Sequence, residues 1–244
     1  MHNLGHTRSS MKRDHILQTP DTFIRTVLPG MTNAAAIVHV APAAGAAFTQ
    51  YTAELESQGT LGATSLQRFL YVTSGVADLT TDTSFKTLTA GSFAYIPPGL
   101  AHTLTAQQKT VLAVIEKPYE PLEGTAPSAL LVGHEDNVAS VALMGDEDLQ
   151  VRVLLPDNTS FDFAVNTMTY QPGAALALVE IHVMEHGLLM LEGGGIYRLG
   201  DNWYPVTAGD FIWMAPFCPQ WFGALGKQPA KYLIYKDWNR HPIG

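Results

Sequence analysis

Six residue pairs in this chain of 244 residues recur at one offset of 118 positions: Gly75 with Gly193, Gly91 with Gly209, Phe93 with Phe211, Tyr95 with Trp213, Pro98 with Pro216 and His102 with Gln220. One matching spacing is easily accidental, whereas six in one register mark an internal duplication. In each copy a glycine turn precedes an apolar strand, a proline-containing turn and then a polar residue. A duplicated unit of roughly 100 residues predicts two small barrels or sandwiches in one chain.

The segments between the turns fit that expectation. Phe48–Leu55, Phe69–Thr73, Ser92–Ile96 and Val111–Ile115 are short and rich in β-branched and aromatic residues, and Gly and Pro separate them. The fold class read here is all-β. The Pro/Gly-rich passage from Lys117 to Gly133 reads as a linker. The division expected is therefore 1–125 for a first barrel, with 1–20 as a polar lead-in, and 126–244 for a second. His2, His6 and His15 fall in that lead-in and read as solvated tail residues.

Composition serves mainly to exclude. The formal charge is −8, which removes the basic footprint that nucleic-acid binding needs, so no nucleic-acid partner is expected. No apolar run approaches the ~20 residues of a membrane helix, and the first twenty residues hold none of signal-peptide length. The expectation is a cytoplasmic protein with no membrane partner. A single cysteine, Cys218, rules out an internal disulfide framework and a Cys-rich zinc site; it reads as a small packed residue.

The chemistry concentrates in the second copy. Read as a strand, Glu180 and His182 lie at i and i+2 on one face, His186 follows a short bend, and Gln220 stands where the first copy has His102. One carboxylate, two imidazoles and an amide oxygen form a hard N/O set that suits six-coordinate Mn(II) or Fe(II) with open positions better than a closed zinc site. The competing pattern His-x-x-Glu-His, through Glu185, belongs to inverted zinc proteases and requires a helix. The alternation of Val179, Ile181 and Val183 with polar partners, and Gly187 after them, argues for extended chain; Glu185 is then an exposed or supporting carboxylate. Tyr232 and Lys236 share one face of a late strand: if that face is inward they sit near the metal and suit a substrate carboxylate, and the plainer alternative is a tyrosine in the core wall and a solvated lysine. Tyr235, Asp237, Trp238 and Arg240 read as exterior or end-of-strand residues. In the first copy Arg68 stands where His186 would be and His102 is alone, so a barrel without a metal is expected; His39 and His134 read as surface or loop histidines.

These motifs carry a family resemblance. GSFAYIPPGLAH, EIHVMEHGLLMLEGGG and GDFIWMAPFCPQ resemble cupin motifs, the last two with altered ligands, so the chain looks like a bicupin of two cupin jelly-roll barrels. With QTPDTFIRTVLPG, PYEPLEGTAP, Asp201-Asn202-Trp203 and YLIYKDWNR, it resembles the (S)-ureidoglycine aminohydrolases over nearly its whole length. The resemblance implies a hydrolase of purine and allantoin degradation that releases ammonia from a ureido acid. It implies Mn(II), with Fe(II) or another divalent metal as the alternative, bound by Glu180, His182, His186 and Gln220. Substrate contacts are implied for Glu180, Gln220, Tyr232 and Lys236, with Glu180, Tyr232 and Lys236 acting in catalysis. A homo-oligomer is expected. The rival readings are an Fe(II)-dependent bicupin dioxygenase and a non-enzymatic bicupin that binds small molecules.

Overall fold

The computed structural model describes residues 5–242. It is built almost wholly of strands, with three single-turn 3-10 helices, and it separates into two compact units.

The first unit comprises Ile24–Ala139, Leu154–Ala164 and the chain from Trp238 onward. One curled sheet runs through Leu131–His134, Ser92–Ile96, Gln67–Ser74, Thr110–Lys117, Thr49–Gly62, His102–Ala106, Val76–Thr81 and Phe85–Thr89, and Met31–Val40 adds to Thr49–Gly62. The fourteen-residue strand Thr49–Gly62 lets the sheet curl. Its first part pairs with Thr110–Lys117 and its end pairs with His102–Ala106. Between them Gln58 takes a positive φ of 63°. Alternation along these strands buries Leu70, Val72, Ala94, Ile96, Leu112 and Val114 in one core.

The second unit gathers the chain up to Phe23 with Ser140–Val153 and Val165–Asp237. One sheet orders Ser10–Met11, His15–Gln18, Phe211–Met214, His186–Glu192, Ala230–Asp237, Phe163–Tyr170, Asp146–Val153 and Ser140–Leu143. A smaller sheet orders Asn202–Thr207, Gly194–Leu199 and Gln220–Ala224. Leu188, Ile212 and Tyr232 from the first sheet and Tyr197, Leu199 and Phe222 from the second share one core. This is the two-sheet jelly-roll arrangement expected of a cupin.

The contacts do not follow the expected division at 125/126. Ser10–Met11 and His15–Gln18 form strands rather than a solvated lead-in, because Ile16 and Leu17 pair with Trp213 and Ile212 and bury their apolar faces there. Strand Leu131–His134 pairs with Ser92–Ile96 and stays with the first unit. Among the described residues no helix is long and apolar enough to cross a membrane.

Candidate metal centre

His186 opens strand His186–Glu192 and Gln220 opens strand Gln220–Ala224. Glu180 and His182 are not in a strand, which corrects the strand expected there. The segment is held by two isolated bridges, Ala175 with Gly223 and Glu180 with Gln220, and by Phe217 N–H donating to the His182 carbonyl (2.8 Å). Leu178, Ile181 and Val183 face outward and exposed, with no sheet to continue the ladder. The four side chains nonetheless converge. His182 Nε2 lies 3.3 Å from His186 Nε2, 2.8 Å from the Gln220 amide and 3.9 Å from a Glu180 oxygen.

The hydrogen bonds set which atoms face inward. The Tyr235 carbonyl, 3.1 Å from His186 Nδ1, only accepts, so Nδ1 carries the proton and Nε2 presents a lone pair. Burial, reinforced by His182, lowers the His186 pKa to about 3 and keeps the ring neutral, as a ligand must be. Gln220 Nε2–H donates to His182 Nε2, so two lone pairs oppose each other across 3.3 Å. His182 Nδ1 and Gln220 Oε1 are buried with no hydrogen-bond partner. Turning the Gln220 amide brings its oxygen into the cluster, and a shared cation would then take the lone pairs of that oxygen and of both histidine Nε2 atoms. The residues fit a divalent metal. The loop between the histidines is braced by Asp237, which accepts from Glu185 N–H (2.6 Å), and by Glu185, which accepts from Trp213 Nε1 (3.0 Å). Glu185 is thus a buried supporting carboxylate, and Asp237 is more than a strand end.

The cluster opens on a cavity of about 160 Å³ lined also by Tyr232, Lys236 and Asn166, room for a small metabolite and not for a polymer. Tyr232 and Lys236 both line this cavity, Tyr232 as a buried member of the core. Lys236 faces His186 across paired strands. The Tyr232 hydroxyl meets that of Tyr170 at 2.7 Å, and burial raises the Tyr232 pKa, so the phenol stays protonated. Sequence reading missed Asn166; its only signal was one amide among inward-facing Met168 and Tyr170 on strand Phe163–Tyr170.

Other expected positions are revised. His15 is fully buried: its Nδ1–H donates to Asp14 (2.9 Å) and its Nε2 is hydrogen-bonded to the Tyr204 hydroxyl (2.9 Å). Asp14, His15 and Cys218 bring ligand atoms within 4.8 Å of one another, apart from the quartet above, but both His15 nitrogens already have partners. Cys218 is buried as expected, and burial pushes its thiol up to about 11, which makes it a poor nucleophile. His6 is exposed, and His2 lies outside the described residues. His39 is a buried strand residue bonded to Thr52 (2.8 Å), neither surface nor loop, whereas His134 is a partly exposed strand residue whose ring reaches the Ala90 carbonyl (3.0 Å), in keeping with a surface histidine. Tyr235 is fully buried in its sheet rather than exterior. Trp238 Nε1 donates to Asp157, and Arg240 donates to the Glu120 and Thr159 carbonyls.

Curled jelly-roll sheets in two units, one of them presenting an inward Glu–His–His–Gln donor set, define a bicupin, and a cupin domain family model matches residues 166–235. The chain belongs to the (S)-ureidoglycine aminohydrolase family of enzymes. It is 45% identical to (S)-ureidoglycine aminohydrolase of Arabidopsis thaliana over 98% of this chain and 80% of that one. It is 33% identical to the Escherichia coli K12 protein of the same name, over 92% of this chain and 88% of that one. The crystal structure of protein Ylba from E. coli superimposes with a TM-score of 0.87 at 29% identity, covering 98% and 97% of the two chains.

Proposed function

We propose that this chain is a cytoplasmic, homo-oligomeric hydrolase that converts (S)-ureidoglycine to (S)-ureidoglycolate and ammonia in purine degradation, with Mn(II) held by Glu180, His182, His186 and Gln220. The observation that carries this reading is the convergence of those four side chains on a small cavity walled by Lys236 and Tyr232. When bound, a divalent metal there supplies positive charge and open coordination positions for substrate or water.

The substrate carbon bears a carboxylate, an amine and a ureido nitrogen. Lys236 brings an ammonium to the wall, suited to the carboxylate. Tyr232, its phenol kept neutral by burial, donates a hydrogen bond or relays a proton toward the departing amine. Glu180, half-buried in the cavity lining and bridged to Gln220, provides the carboxylate that takes a proton from attacking water. Three separate contacts around one carbon fix one enantiomer.

The test generates ureidoglycine in situ from allantoate and follows ammonia and chiral ureidoglycolate with and without the protein, alongside elemental analysis. Accelerated ammonia release, one enantiomer in excess, about one manganese per chain, and loss of metal and activity in a folded His182→Ala variant support the reading. No acceleration, or a racemic product, sinks it. Oxygen consumption in its place favours the dioxygenase.

A further inference from the structure

Asn166 lines the cavity and has no part in the chemistry above. It lies on strand Phe163–Tyr170, where alternation places it on the same face as Met168 and Tyr170, both members of the unit's core. It is 7% exposed, and its Oδ1 is buried with no hydrogen-bond partner among the described residues. An unmet amide acceptor in an apolar wall lowers stability, and an apolar side chain like that of Met168 would line the same wall without that penalty. The amide therefore has a ligand to meet.

Its position narrows which part of a ligand that is. Tyr170 and Tyr232, on hydrogen-bonded neighbouring strands, touch through their hydroxyls at 2.7 Å. Four residues along each strand from that pair lie Asn166 and Lys236, and both reach the cavity. Lys236 suits the carboxylate and the metal donors suit the reacting centre. A carboxamide suits neither charge specifically. Its coplanar acceptor and donor match a group that carries N–H and C=O side by side. A ureido group, –NH–CO–NH2, is such a group.

We propose that Asn166 is a specificity-determining residue whose amide recognises the ureido group of the substrate, Oδ1 accepting a ureido N–H and Nδ2 donating to the ureido carbonyl. This rests on the ureidoglycine reading and deepens it. A site built to pair with a polar group rejects analogues that lack it far more strongly than an apolar pocket rejects a size change.

The experiment uses the metal-loaded protein and the variants Asn166→Ala and Asn166→Leu. Turnover of ureidoglycine is measured together with calorimetric binding of hydantoate, which keeps the ureido and carboxylate groups but lacks the amine, and of glycolate, which lacks the ureido group. Wild type is expected to prefer hydantoate over glycolate by about ten-fold or more, in keeping with a buried polar pairing. Both variants should lose that preference with glycolate affinity and metal content unchanged, and the ureidoglycine defect should fall on KM more than on kcat. Asn166→Leu should also melt no lower than wild type, since it removes an unmet polar atom; this separates recognition from a structural role. Retained hydantoate preference in the variants, or a kcat defect with KM and hydantoate affinity unchanged, overturns the assignment. If wild type itself releases no ammonia from ureidoglycine, the parent reading fails; turnover by wild type with normal variants fails Asn166 alone.

Discussion

Arg68 faces Glu116 across strands Gln67–Ser74 and Thr110–Lys117, the register position that His186 and Lys236 hold across His186–Glu192 and Ala230–Asp237. Where the second unit presents the neutral His186 ring toward its cavity, the first places a cation of its own. The Arg68 guanidinium donates to Glu116 (2.7 Å), to the Gly62 carbonyl (2.7 Å) and to His102 Nε2 (2.6 Å), and Tyr51 adds a hydrogen bond to Glu116 (2.9 Å). His102, the counterpart of Gln220, has its lone pair satisfied by a protein donor.

That network makes the first prediction. Arg68→Ala leaves the largely buried Glu116 carboxylate with Tyr51 but without its cation and should cost about 3 kcal/mol of stability, whereas the double change Arg68→Met with Glu116→Leu should cost far less. Urea denaturation checks both. Ammonia release by the folded fraction should stay near wild type in each, and a specific loss of activity would mean that this unit contributes to the chemistry.

A second prediction concerns the repeated glycines. Gly75 and Gly193 both have positive φ, 90° and 61°, and a Cβ at either meets a carbonyl oxygen, that of Lys109 at 2.5 Å or Pro229 at 2.3 Å. The neighbour is backbone and cannot swing aside. Gly193→Ala should therefore destabilise by well over the ~1 kcal/mol that left-handed backbone alone imposes. Gly173→Ala is the control, since its φ is 90° but its Cβ would meet nothing within 4 Å. Equal thermal shifts for the two would show that the close approach is immaterial.

The register of Gly75 with Gly193 was legible because a tight turn against backbone tolerates no other residue. The convergent quartet of Glu180, His182, His186 and Gln220 was legible because a carboxylate, two imidazoles and an amide so spaced are hard to explain as ordinary strand residues. What stayed hidden depends on distant partners. His15 is buried by strand pairing with Met214 and by Tyr204, nearly 200 residues on, and nothing within MKRDHILQT signals either. Glu180 and His182 kept their inward direction without the expected strand, because bridges to Gln220 and Phe217 take the place of a ladder. Asn166 was missed because a single amide in an apolar strand has no pattern of its own.

Acid should destabilise the protein through its buried histidines. Burial lowers the His39 pKa from 6.5 to about 3, and His15 and His102 are lowered in the same direction, also chiefly by burial. Above pH 6.5 folded and unfolded forms of His39 are both neutral and its contribution is complete. As pH falls from there toward 3 the unfolded chain binds a proton at His39 that the native state refuses, so stability is lost across that window at ~1.4 kcal/mol per pH unit for this group, and His15 and His102 act in the same direction. Replacing His39 with Gln should reduce the loss between pH 6.5 and 4.5 by ~3 kcal/mol in urea titrations. An unchanged slope would mean that His39 is not held neutral.

The formal charge of −8 sets the last prediction, because the proposed substrate is an anion. The general field of the protein repels it, so the attraction must be local, and Lys236, beside His186 on the cavity wall, brings a cation to the place where it is needed. Lys236→Met keeps most of the aliphatic stem and removes the charge. It should raise KM about ten- to hundred-fold, the loss of one charge-assisted hydrogen bond, with bound metal unchanged. The carboxamide analogue of the substrate, having no charge to lose, should bind wild type and variant alike. If the variant instead weakens both ligands equally, Lys236 shapes the wall rather than pairing with the carboxylate, and the attraction has to come from the metal alone.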